Sequence, residues 1–106
     1  MAEVLTNIEE LRSRIDVIDD QLVRLLNVRV ACAVEVGRLK HEAGLPIYQP
    51  EREAQVLNSV RNSASDLAGP LTAEAVVRIF ERIIDEARRA ERAARGPDEG
   101  VQQAQE

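Results

Sequence analysis

The stretch IEELRSRIDVIDDQLVRLLNVRVACAVEVGRL, from Ile8 to Leu39, decides the fold. Its apolar positions fall at Ile8, Leu11, Ile15, Ile18, Leu22 and Leu25. After Arg29 the series resumes at Cys32, Val36 and Leu39. The steps alternate three and four throughout, which is the heptad seam of a long amphipathic helix. A helix over residues 6–42, with Thr6 or Asn7 as its cap, is about 50 Å long. A compact domain of this size has a radius of gyration of only about 13 Å. One chain therefore has nothing long enough to cover the seam, and a homodimer with paired long helices is expected.

Outward from that helix, glycine and proline cluster at three breaks: Gly44, Pro46 and Pro50; Gly69 and Pro70; Gly96, Pro97 and Gly100. The segments between them are rich in Leu, Ala, Glu, Arg and Val at helical spacing, which predicts a second helix over 50–65 and a third over 72–95 started by Thr72. No strand signal and no internal repeat is visible. The expected class is all-α, with a long, a short and a medium helix. Residues 1–95 form one domain, and 96–106, GPDEGVQQAQE, form a disordered polar tail.

Composition narrows the function. Among 106 residues there are 19 acids against 14 bases, a net charge of −5, which argues against general nucleic-acid binding. The single cysteine, Cys32, excludes an intrachain disulfide and reads as a small core residue. No apolar run is long enough for a membrane span, and the N-terminus has no signal-peptide pattern, so a cytoplasmic protein is expected. Gly-rich phosphate loops, zinc-protease motifs and Ser/His/Asp sets are missing, so nothing supports nucleophilic or metal catalysis.

The charges that break the apolar pattern point to the chemistry. Arg29 interrupts the first seam, and Lys40, eleven residues on, points within about 20° of it, with Cα atoms roughly 16 Å apart. The third helix carries Val77, Phe80, Ile84, Ala87, Glu91 and Ala94 at the same spacing, which puts Glu91 on its core face. The second begins PEREAQVLNSV, with Glu53 in line with Val56, Leu57 and Val60, and Arg52 beside it. Charges on the inner faces of all three helices suggest a polar pocket for a small, multiply anionic molecule. Structural ion pairs, Arg29–Glu91 or Arg52–Glu53, are the alternative. His41 and the stripe Arg82, Arg88, Arg89, Arg92 and Arg95 read as solvated, the arginines with i,i+4 partners.

In order and separation, ELRSRIDVID (Glu10–Asp19), LLNVR ending at Arg29, VGRLK ending at Lys40 and GLPIYQPERE (Gly44–Glu53) resemble the all-helical, class II chorismate mutase family over roughly residues 6–95. The resemblance implies an intertwined homodimer of three-helix chains. It also implies the Claisen rearrangement of chorismate to prephenate in Phe and Tyr biosynthesis, which needs no nucleophile, metal or cofactor. The enzyme's task is to hold the compact conformer of a dicarboxylate and stabilise charge growing on its ether oxygen. By the same resemblance, Arg29 grips one carboxylate, and Arg12, from the partner chain, holds the other. Lys40 donates to the ether oxygen and a carboxylate, Arg52 supports that carboxylate end, and Glu53 accepts the substrate hydroxyl. Glu91 falls where family members contact the ether oxygen with Gln or Glu. A carboxyl must carry a proton to donate there, so Glu91→Gln is expected to keep its activity better at alkaline pH.

Gln49 and Ala87 depart from the best-known pattern, in which some members have an aspartate near the hydroxyl at the first and a serine or other small residue often touches a carboxylate at the second. Ala87 forfeits one hydrogen bond, worth about 0.5–1.5 kcal/mol. Isochorismate-pyruvate lyase and aminodeoxychorismate mutase are alternatives on the same scaffold, and Glu53 favours a hydroxyl-bearing substrate. A non-catalytic helical dimerisation or regulatory module is the alternative of another class. It leaves Arg29, Lys40 and Glu91 unexplained. With 106 residues the chain reads as a stand-alone mutase, any regulation coming from a partner enzyme.

Overall fold

A computed structural model describes residues 1–96. It contains three helices: α1 (Ala2–Ala43), α2 (Pro50–Asp66) and α3 (Ala73–Arg95). The all-α, three-helix expectation holds. The expected polar tail falls almost wholly outside the described residues.

The ends of the helices follow from local chemistry. Nothing in the first seven residues breaks a helix, so α1 begins at Ala2 and neither Thr6 nor Asn7 caps it. The Thr6 hydroxyl instead donates to the Ala2 carbonyl one turn back, at 3.0 Å. α1 stops at Gly44, whose φ of 68° is a conformation glycine takes without penalty. The Gly44 amide donates to the His41 carbonyl and the Leu45 amide to Lys40, the paired bonds of a Schellman cap. Pro50 opens α2, where a missing amide hydrogen costs nothing. Thr72 caps α3 as expected, its hydroxyl accepting from the Ala75 amide at 3.1 Å.

The chain divides into two compact units, Met1–Ala31 and Cys32 onward. The first is helix alone, and every residue from 1 to 28 is exposed. Its seam residues remain open to solvent, from 37% at Ile8 to 65% at Leu25. In the second unit α2 packs on α3. Two ion pairs fix their antiparallel register. Glu53, early in α2, meets Arg88, late in α3, and Arg61, late in α2, meets Glu74, at the start of α3. Val77 and Ala87 are buried, with Val56, Leu57, Val60, Phe80 and Ile84 half-buried around them. The expected α3 seam is thus the inner face, apart from Ala94, which is exposed. Cys32 is also exposed, because no surface among the described residues covers that stretch of the seam.

Candidate active site

The candidate residues divide between the two units. Arg12 and Arg29 belong to the first. Arg12 is open to solvent and held at 3.0 Å by Glu9, one turn before it. Arg29 is half-buried, unlike the exposed residues that precede it.

The second unit holds Lys40, Gln49, Arg52, Glu53, Ala87 and Glu91. Lys40, half-buried in the last turn of α1, extends its Nζ to the Ile47 carbonyl at 3.4 Å and so tethers the loop leading into α2. Gln49 occupies the N-cap position of α2. Its carbonyl accepts from the Arg52 and Glu53 amides, but its side chain makes no capping hydrogen bond. Arg52 is exposed in the first turn of α2. Glu53 is only 24% exposed, and its Oε1 is bonded by Arg88 of α3 rather than by the neighbouring Arg52. Ala87 is buried at 4% exposure, and Glu91 stands one turn further along the same face of α3.

Glu91 lies against α1 at Gly37. A methyl group added at Gly37 would sit 3.3 Å from Glu91 Oε2, so the glycine is what gives this carboxyl its place beside the helix. A glycine inside VEVGRLK costs about 1 kcal/mol relative to alanine, and that mid-helix cost was the available signal for it. An open cleft of about 240 Å³ is lined here by Gly37, Arg38 and His41 of α1 and by Glu91 and Arg95 of α3. Glu91 is the one candidate residue that borders it.

The arginine stripe of α3 is less uniform than its spacing suggests. Arg82 pairs with Glu86 at the expected i,i+4 spacing, and Arg89 reaches the same carboxylate from three residues on. Arg95 is half-buried, with Nε and Nη1 enclosed and without a hydrogen-bond partner among the described residues. Arg88 reaches α2, and its guanidinium also stands 5.9 Å from the centre of the Tyr48 ring. Among the described residues no cluster of His, Cys, Asp or Glu has the makings of a metal site, and no helix is long and apolar enough to cross a membrane.

The sequence profile of the family described as Chorismate mutase type II matches residues 11–92. The chain belongs to this family. All eight candidate residues, Arg12 to Glu91, lie inside the matched span. The bifunctional chorismate mutase/prephenate dehydratase of Aquifex aeolicus is 38% identical over 81 residues, 76% of this chain and 22% of that protein. The chain therefore spans about a fifth of the length of that relative. The chorismate mutase of Methanocaldococcus jannaschii is 33% identical over 58 residues, 55% of this chain and 59% of that one. Among solved structures, form II of the chorismate mutase from Thermus thermophilus superposes with a TM-score of 0.73 at 32% identity. That match covers 80% of this chain and 93% of the other.

Proposed function

We propose that this chain is a chorismate mutase, its residues 1–95 forming a homodimeric, cytoplasmic domain that rearranges chorismate to prephenate for aromatic amino acid synthesis. The observation that carries this reading is the family match over residues 11–92, which includes every charged position picked out for binding a dianion. The exposed α1 seam supports the dimer. Residues such as Leu22 and Leu25, 50% and 65% exposed, call for a cover of matching length, which a second α1 supplies.

In this reading Arg29 and the partner chain's copy of Arg12 hold the two carboxylates and fold the substrate into its reactive conformer. Lys40 moves from the Ile47 carbonyl to donate to the ether oxygen as the carbon–oxygen bond lengthens. Glu91, which can donate only when it carries a proton, contacts the same oxygen from α3. Both bonds strengthen as negative charge grows there, so they favour the transition state over the ground state. Arg52 supports a carboxylate, Glu53 accepts the hydroxyl, Gln49 lies beside it, and Ala87 lines the pocket wall. No electron or group leaves the substrate, so these side chains suffice without a cofactor.

The test is chorismate consumption by the purified protein, with product identified by chromatography. Prephenate from the parent, and a kcat/KM lower by about 10²–10³-fold in Arg29→Ala, is expected. A folded parent that leaves chorismate untouched defeats the proposal, and isochorismate and aminodeoxychorismate become the next substrates to try. Glu91→Gln tests the proton on Glu91: the parent should lose activity as pH rises while the glutamine variant holds. Superimposable pH profiles would remove Glu91 from its role.

A further inference from the structure

Arg88 is bonded in three directions. Its Nη2 meets Glu53 Oε1 on α2, its Nη1 meets Asp85 on its own helix at 3.0 Å, and its guanidinium carbon lies 5.9 Å from the Tyr48 ring centre. Fold stability alone is a poor reason for this arrangement. Partly exposed ion pairs contribute little to stability, and Arg88 is itself 41% exposed. Its contacts flank Gln49 and end on Glu53, at the end of the molecule where the substrate hydroxyl is expected. Asp85 is 51% exposed and screened by water, whereas Glu53 is 24% exposed, so the arginine acts most strongly on Glu53.

We propose that Arg88 is a specificity-determining positioning residue that neutralises and orients Glu53, so that the pocket accepts a hydroxyl-bearing substrate and disfavours its amino analogue. This rests on the mutase reading of the site. A carboxylate has room for about four hydrogen bonds on two oxygens. Arg88 occupies Oε1 and leaves Oε2 to accept an O–H. A lone, half-buried carboxylate would attract an ammonium group far more strongly than a hydroxyl, whereas a carboxylate already paired with a guanidinium offers an acceptor with little net charge. Arg52, the neighbouring cation, reinforces the exclusion. Specificity is a difference of affinities, and it is gained here by withholding charge from the wrong ligand.

The experiment compares KM for chorismate with KI for aminodeoxychorismate as a competitor, in the parent, Arg88→Met, Arg88→Lys and the double variant Arg88→Met/Glu53→Gln. Arg88→Met should lower KI relative to KM by about tenfold, equal to about 1.4 kcal/mol. Arg88→Lys, which keeps a charge but not the fork, should shift the ratio by about threefold or less. The double variant should lose the gain, because the attracting charge is gone. Melting curves establish folding, and Arg88→Gln replaces the methionine variant should that one fail to fold. A KI/KM ratio equal in the parent and a folded Arg88→Met or Arg88→Gln protein overturns the proposal while the mutase reading stands. A folded parent inactive on chorismate overturns both.

Discussion

The Met1–Ala31 unit and the unit from Cys32 onward are built from the same kind of helix, yet among the described residues only the second holds fully buried ones. Leu22 and Ile18 in the first are as apolar as Val77 in the second. They stay 50% and 48% exposed, against 7% for Val77. The difference is not hydrophobicity but the presence of a facing surface. α2 and α3 supply one to each other, joined by Arg61–Glu74 at one end and Glu53–Arg88 at the other. The first unit has a seam of equal regularity whose apolar residues stay exposed from Ile8 to Leu25, which is the feature on which the proposed dimer rests.

The largest expected effect separates ligand from fold within the exposed unit. Arg29→Ala should cost the 10²–10³-fold in kcat/KM given above while leaving the melting temperature within a few degrees. A large fall in melting temperature would instead make Arg29 a structural cation. Next comes the seam. Leu22→Glu places a carboxylate where a partner helix should bury a leucine and should weaken the dimer Kd by about two powers of ten. Sedimentation across a dilution series reads this directly. An unchanged Kd would mean the first unit's seam is not the interface.

Within the second unit, Gly37→Ala tests whether the glycine serves Glu91 or only the packing. Alanine favours the helix by about 1 kcal/mol, so stability should hold or rise. The carboxyl 3.3 Å from the new methyl must move by a few tenths of an ångström, and kcat should fall about three- to tenfold with little change in KM. A parent-like kcat would show that Glu91 tolerates displacement. Glu91→Gln, with its predicted alkaline advantage, isolates the proton from the position.

Much of this was legible in the sequence because it depends on short-range chemistry. The three-four seam, Pro50 at the start of α2 and Thr72 at the start of α3 are local signals, and the helices formed where they pointed. The charged positions at Lys40, Glu53 and Glu91 were legible as exceptions within apolar patterns. Cys32 is exposed in the single chain because burial depends on what faces a seam, not on membership of it. Arg88 was hidden for a related reason. Asp85, three residues before it, is a sufficient local partner, and Glu53 becomes its neighbour only once α2 and α3 pack antiparallel. Gly37 could have been found, since a glycine in a helix interior asks for a close neighbour.

The smallest effect sharpens the comparison with one residue type used twice. Thr72 accepts from the Ala75 amide, an orphan donor of the first turn of α3. Thr72→Ala should therefore cost about 1 kcal/mol, a fall of several degrees for a domain of this size. Thr6 donates to the Ala2 carbonyl, inside a helix and on an exposed face, where alanine is the better helix former. Thr6→Ala should leave the melting temperature unchanged or raise it slightly. The two variants are compared at one protein concentration, because a dimer's melting temperature depends on it. Equal losses would mean that Thr6 is held by something other than its own helix, and the first unit would then need a partner surface at its N-terminal end as well as along its seam.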